Sequence, residues 1–275
     1  MDIKASRIQS PSSINTYKQC PRRYYYTYIE KIPTKPNIHT VRGTIVHSVL
    51  EDFFDLDFSS EISNFGDFLL LKSLELFDKH WNSSKEKLSS LEISESEIQF
   101  YYDDSKTMIL NWVTHFLSRV KDCPDGNYLD MFNRLKPVSR EEKFVSEEFS
   151  VMGYIDAIEV FDGKTRIIDY KTSKADKLSP EYMLQLGIYA LLYNEKKGTY
   201  PDEVGLFLLK HGERMVKVTE ELVKNAKFEI ENIHMSTQTK NKSDYPMKPG
   251  PLCNYCDFYK LCFGSKKNDL NNWMN

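Results

Sequence analysis

The sequence predicts an α/β protein, and three observations carry that expectation. An early segment, residues 42–54, places apolar side chains at helical spacing. Three segments rich in β-branched and aromatic residues then follow one another between residues 141 and 170. Beyond them, helix-like and strand-like stretches alternate to about residue 234.

Taken in order, Ser12 or Ser13 is placed to cap a short helix through Tyr17 and Lys18 that ends at Cys20, before Pro21. In the next helix Val41, Ile45, Val49 and Phe53 recur every four residues, with Val46, Leu50 and Phe54 beside them. Residues 55–137 read as a helical insertion or cap whose helical stretches are separated by polar connections rich in serine and glutamate. Residues 141–149, 151–161 and 165–170 predict three successive strands, the last two joined by a hairpin at Asp162-Gly163. Ser179-Pro180 opens a helix through Tyr193, two short strands surround a turn at His211-Gly212, and an amphipathic helix covers residues 220–234.

Composition bounds the function. The 275 residues are 40% apolar and 28% charged, which is the range of a globular protein large enough to build its own core. Lysine and arginine number 37 against 40 acidic residues, a net charge of −3 that excludes a histone-like, wholly electrostatic nucleic-acid binder. The polar start and the lack of a long apolar run predict a cytoplasmic protein with no membrane association. The phosphate-loop pattern of nucleotide-driven motors is absent.

The strongest chemical signal is Gly153-Tyr154-Ile155-Asp156 on one strand, followed across the hairpin by Asp169-Tyr170-Lys171 on the next. Strand alternation places Asp169 and Lys171 on one face. Two carboxylates meeting across neighbouring strands beside an ammonium can hold a divalent cation and a water, and oxygen ligands suit magnesium or manganese. Lys171 would orient that water or neutralise developing charge. His47 sits at the edge of the apolar arc of its helix, with Glu51 one turn later. Taken alone it reads as a paired boundary histidine; as a third ligand it would tilt the preference toward manganese. Gln185 and Tyr189 lie four residues apart on a helix that is apolar almost all round, so each needs a partner. Either a structural hydrogen bond or contact with the reactive groups would supply one.

Cys253, Cys256 and Cys262 cluster near the end of the chain, and Cys20 lies near its start. Clustered thiols in a cytoplasmic protein point to a metal rather than disulfides. The three-plus-one spacing favours an iron–sulfur cluster and leaves zinc open. Cys123 is read as a spare thiol. Lys18, Arg22 and Arg23 interleave with Tyr17, Tyr24, Tyr25 and Tyr26, a pattern able to stack bases and track phosphates, although tyrosines here can equally pack around the cysteine site.

Together, G-x-x-x-H (Gly43 to His47), G-x-x-D (Gly153 to Asp156), D-Y-K (Asp169 to Lys171), Q-x-x-x-Y (Gln185 to Tyr189) and the cysteine set resemble the RecB-like branch of the PD-(D/E)XK nucleases. Within it they resemble the iron–sulfur members, which include CRISPR-associated nucleases and AddB-type subunits. The resemblance implies a restriction-endonuclease-like core, a mixed central sheet flanked by helices, formed by a single domain over residues 1–275. The helical insertion at 55–137 lies within it, and an iron–sulfur clasp of residues 1–30 and 245–265 joins the termini. It implies metal ligation by His47, Asp156, Asp169 and the carbonyl of Tyr170. It also implies Lys171 as the water-activating residue, Gln185 and Tyr189 as supports of the site and DNA, and a 4Fe–4S cluster on Cys20, Cys253, Cys256 and Cys262. The implied activity is that of a metal-dependent DNA exonuclease acting on ends or single strands in repair, recombination or CRISPR adaptation, beside a helicase or integrase. The competing reading is a catalytically silent DNA-binding scaffold within such a complex.

Overall fold

The computed structural model describes residues 5–57, 64–121 and 128–264. Cys123, parts of the 55–137 segment and the last residue of the 245–265 segment lie outside the described residues. The chain divides into two compact units, one of residues 1–35, 145–152 and 224–275, the other of residues 36–144 and 153–223. Among the described residues, no helix is long and apolar enough to cross a membrane.

The first unit begins with α1 (Pro11–Gln19) and α2 (Pro21–Tyr24), the latter running into a π-helical turn at Tyr25–Ile29. The cap of α1 is Ser10 rather than Ser12 or Ser13. The Ser10 hydroxyl accepts from the Ser13 amide, the Ser13 hydroxyl accepts from the Ser10 amide, and Pro11 takes the first helical position, where no amide hydrogen is needed. Pro21 opens α2 in the same way, so it starts a helix as well as following one.

In the second unit, α3 (Ile38–Phe53) starts four residues before the periodic stretch, because the Asn37 side chain accepts from the Thr40 amide and caps it there. The segment that follows forms α4 (Phe65–Ser83), α5 (Lys85–Ser89), α6 (Glu95–Lys121) and α7 (Tyr128–Leu135). These helices do not stand apart from the sheet. Phe53, Leu69, Phe77, Trp112 and Phe116 share one buried cluster with Ala157, Ile168, Tyr170 and Phe207 of the strands. The Phe53 ring meets Trp112 at 4.9 Å and Phe116 at 5.3 Å, both edge to face. Each such buried ring contributes about 2–3 kcal/mol of transfer free energy.

Five strands, β1 (Ser139–Ser146), β2 (Val151–Phe161), β3 (Lys164–Lys171), β4 (Glu203–Leu208) and β5 (Gly212–Lys217), form one sheet in sequence order. The β2–β3 and β4–β5 pairs are antiparallel and β3–β4 is parallel, so the sheet is mixed and flanked by helices, as the sequence predicts. The hairpin between β2 and β3 turns at Asp162 and Gly163, both with positive φ (48° and 76°), which suits the twist of the flanking strands. A parallel step requires a crossover, and α8 (Pro180–Lys197) supplies it. Ser179 caps α8, Pro180 occupies its first position, and Gly198 ends it at φ 78°. A Cβ on Gly153 would lie 2.8 Å from the Tyr189 ring, so α8 approaches β2 at a distance that only glycine permits. The last helices are α9 (Glu220–Ser236) and α10 (Tyr259–Phe263).

Candidate active site

Four elements of the second unit, α3, β2, β3 and α8, bring the site together. Alternation along β3 sends Tyr170 into the core while Asp169 and Lys171 face away from it. The Tyr170 backbone then joins two neighbours: its amide donates to Asp156 Oδ2 at 2.7 Å, and its carbonyl lies 3.0 Å from His47 Nε2 on α3. His47 Nδ1 stands 3.5 Å from Asp156 Oδ2. On the other side, Lys171 Nζ lies 2.6 Å from Asp169 Oδ2. From α8, Gln185 Nε2 donates to Asp169 Oδ1 at 2.7 Å and to the Tyr189 hydroxyl at 2.7 Å, while that hydroxyl reaches Asp169 Oδ1 at 3.3 Å. His47, Asp156, Asp169, Tyr170, Lys171, Gln185 and Tyr189 therefore form one connected network.

A further carboxylate joins them. Glu141 of β1 places Oε1 3.2 Å from His47 Nδ1. His47, Glu141 and Asp156 offer ligand atoms within 4.8 Å of one another, the geometry of a metal-binding set. Asp169 is outside that trio; Gln185 and Tyr189 engage one of its oxygens and Lys171 faces the other. Asp169 Oδ2 is buried, and its one close polar neighbour is the Lys171 ammonium, in an angular geometry poor for a hydrogen bond. Glu141 adopts φ 47°, an unusual conformation for a side-chain-bearing residue, and such positions concentrate at ligand clamps. Nothing in the run Glu141-Glu142-Lys143 distinguishes it from its neighbour, and Glu142 instead pairs with Lys196 and Ser139.

Asp156 is 8% exposed and Asp169 is 2% exposed. Burial pushes the Asp156 carboxyl well up, and the Asp169 charge pushes it further against the pull of His47. For His47, burial opposes the charged form, but the Glu141 hydrogen bond and the charges of Asp156, Asp169 and Glu141 outweigh it and raise the imidazole to about 9. Two buried carboxylates, Asp156 and Asp169, and the half-buried Glu141 thus surround His47 and favour its protonated form. A dication would favour ionised carboxylates and a neutral imidazole at once. The donor set of two carboxylates, a carbonyl and an imidazole fits magnesium or manganese.

The strand end that carries Lys171 is also fixed from α3 and α6. Arg42, 3% exposed, donates to the Thr172 carbonyl at 2.9 Å and to Asp104 Oδ2 at 2.5 Å, and Asp104 pairs with Lys210 as well. Glu51, Gly43 and Tyr154 line the mouth of the pocket beside His47 and Glu141.

In the first unit, Cys20, Cys253, Cys256 and Cys262 line one cavity of about 200 Å³ whose walls include Tyr26 and Phe258. All four are free thiols. Burial raises the Cys256 and Cys262 thiols, and the proximity of the other cysteines adds to it. Four sulfur atoms thus line one apolar cavity, but among the described residues no three of them lie within 4.8 Å of one another, a spacing wider than one tetrahedral zinc allows. The neighbouring tyrosines do not form a stacking track: Tyr24, Tyr25 and Tyr26 are buried, with Tyr24 and Tyr25 against Tyr245 and Tyr26 against Phe258. Lys18 pairs with Glu229, Arg23 with Gln19, and Arg22 with the Tyr245 carbonyl.

Comparison with known proteins bears on the family and the fold. The family model of the PD-(D/E)XK nuclease superfamily matches residues 9–263. The chain is 24% identical over 281 residues to the Gene 69 protein of Mycobacterium phage D29, covering 93% of this chain and 96% of the relative. It is 24% identical over 213 residues to the Gene 69 protein of Mycobacterium phage L5, covering 67% and 69%. Among solved structures, a Eubacterium rectale protein with a provisional exonuclease assignment superposes with a TM-score of 0.53 at 12% identity, over 91% of this chain and 87% of that one. At that identity the likeness is one of fold.

Glu141 generates the prediction specific to this site. Glu141→Gln keeps the shape but removes a charge from the ligand trio, and should weaken Mn²⁺ binding about tenfold or more by calorimetric titration. Unchanged affinity would remove Glu141 from the metal set.

Proposed function

Since the chain belongs to the PD-(D/E)XK nuclease superfamily, we propose that it is a metal-dependent deoxyribonuclease that hydrolyses phosphodiester bonds at DNA ends or in single strands. The observation that carries this reading is the convergence of His47, Glu141, Asp156 and the Tyr170 carbonyl beside the Asp169–Lys171 pair. The exonuclease assignment of the Eubacterium rectale structure supports the preference for ends. The sequence resemblance supports a setting in repair, recombination or CRISPR adaptation, alongside a helicase or integrase.

His47, Asp156, Asp169 and the Tyr170 carbonyl would hold magnesium or manganese, with Glu141 as an additional ligand. Bound there, the ion supplies Lewis acidity toward a phosphoryl oxygen and lowers the pKa of an attacking water. The remaining work belongs to the chain. The Tyr170 amide fixes the Asp156 carboxylate, and Gln185 and Tyr189 fix that of Asp169, so neither must reorganise during the reaction. Lys171, anchored by Asp169, presents an ammonium where it can orient a water and offset the negative charge that builds on phosphorus. Arg42 restrains the backbone immediately after that lysine.

We further infer that the four cysteines hold a 4Fe–4S cluster. The cavity that all four line supports a group larger than a single ion, and the separation of Cys20 from the other three in sequence supports a fastening within the first unit.

Two experiments test these readings. Lys171→Ala should slow digestion of end-labelled single- and double-stranded DNA in Mg²⁺ or Mn²⁺ by about 10²–10³-fold, with the circular dichroism spectrum intact. Cutting at the parent rate would refute the site. Anaerobically purified protein should carry about four iron atoms per chain, and Cys20→Ala should lose the iron and the associated visible absorbance. A colourless protein with stoichiometric zinc would replace the cluster with a zinc site.

A further inference from the structure

A second polar cavity, of about 440 Å³, lies in the first unit and plays no part in either site above. Arg7, Lys31 and Lys240 converge on it, together with Thr27, Tyr28 and Thr239. Among the described residues, none of the three cations forms an ion pair with a carboxylate. Elsewhere in the same unit, Lys18 is neutralised by Glu229.

The arginine is held in place by neutral groups. Its Nη1 donates to Gln9 Oε1 at 2.8 Å and approaches the Tyr24 hydroxyl at 3.4 Å. Its guanidinium carbon sits 4.6 Å from the centre of the Tyr28 ring. Gln9 is itself fully buried and bonded to Tyr24 and Ser13, so the guanidinium is anchored on a rigid base. Anchoring a planar donor fork in this way prepays the entropy of aiming it while leaving its charge unbalanced. Lys31 has φ 56°, a left-handed conformation that an L-residue adopts at a cost. Holding three like charges around one cavity costs repulsion that an anion would relieve.

We propose that this cavity binds a phosphate group, and that its occupant is the backbone of a single-stranded nucleic acid. The arginine fork and the two ammonium groups match phosphate oxygens, and Thr27 and Thr239 add hydroxyl donors. The Tyr28 ring, packed between Tyr24 and the Arg7 guanidinium, backs the fork beside them. In a chain of net charge −3, positive potential must be local, and this pocket is such a place. The identity of the strand rests on the nuclease reading; the phosphate site does not.

The test uses the full chain in EDTA, so that binding is read without cleavage and independently of whether the protein is a nuclease. The probe is a 3′-labelled oligo-dT strand followed by fluorescence anisotropy over a salt series. Lys31→Gln combined with Lys240→Gln changes two exposed side chains and should leave the fold intact. It should weaken binding about tenfold and make the slope of log K against log salt shallower by about 0.7 for each phosphate that is no longer neutralised. Lys85→Gln on α5, also exposed, is the matched control and should change neither. A second arm measures stabilisation of the protein by inorganic phosphate in thermal melts. If the double variant loses that stabilisation but keeps its strand affinity, the pocket takes a free phosphate rather than a strand. If the double variant matches the parent in both arms, no phosphate site exists there.

Discussion

Carboxylates repel one another, and burial makes the repulsion expensive; the second unit nevertheless gathers Glu141, Asp156 and Asp169 around the end of β2 and β3. The surrounding structure resists that repulsion at every step. The Tyr170 amide holds Asp156, while Gln185 and Tyr189 hold Asp169 from α8. Gly153 lets α8 come close enough to do so. The buried Arg42 ties α3 and α6 to the strand end through Thr172 and Asp104. These contacts make sense as the scaffold of a cation site, because a dication converts the mutual repulsion of the carboxylates into attraction and reverses the shifts at His47 and Asp156.

Part of this arrangement was legible in the residues. Period-two alternation places Asp169 and Lys171 on one face, and the Asp162-Gly163 turn brings Asp156 across from them, so local rules suffice for the centre of the site. The buried, nearly all-apolar α8 demanded partners for Gln185 and Tyr189, and Asp169 is that partner. Glu141 was not legible, because its role depends on a left-handed backbone conformation at a position whose neighbour is also glutamate. Asp104 was hidden for another reason. It is separated by 62 residues from Arg42 and acts only after α6 has docked on α3.

The polar–aromatic start of the chain shows the reverse situation, a pattern that composition alone overreads. Interleaved basic and tyrosine residues at positions 17–26 resemble a track for bases, but one face of that segment is consumed by packing on Tyr245 and Phe258. Of its cations, Lys18 is paired with Glu229, while Arg23 and Arg22 are held by the neutral Gln19 side chain and the Tyr245 carbonyl. Arg7, Lys31 and Lys240, far apart in sequence and brought to one cavity only by folding, likewise have no acidic partner among the described residues. Residues 5–35 and 224–264 belong to the same first unit, where a thiolate-held metal would couple the ordering of both segments to its own binding.

Anomalous diffraction from crystals grown with Mn²⁺ tests the central account most directly. The account requires manganese density within about 2.0–2.4 Å of a His47 ring nitrogen and of carboxylate oxygens from Asp156 and Asp169. Manganese bound elsewhere, or a site left without the ion at saturating concentration while the carboxylates stay paired to Lys171 and His47, would contradict it.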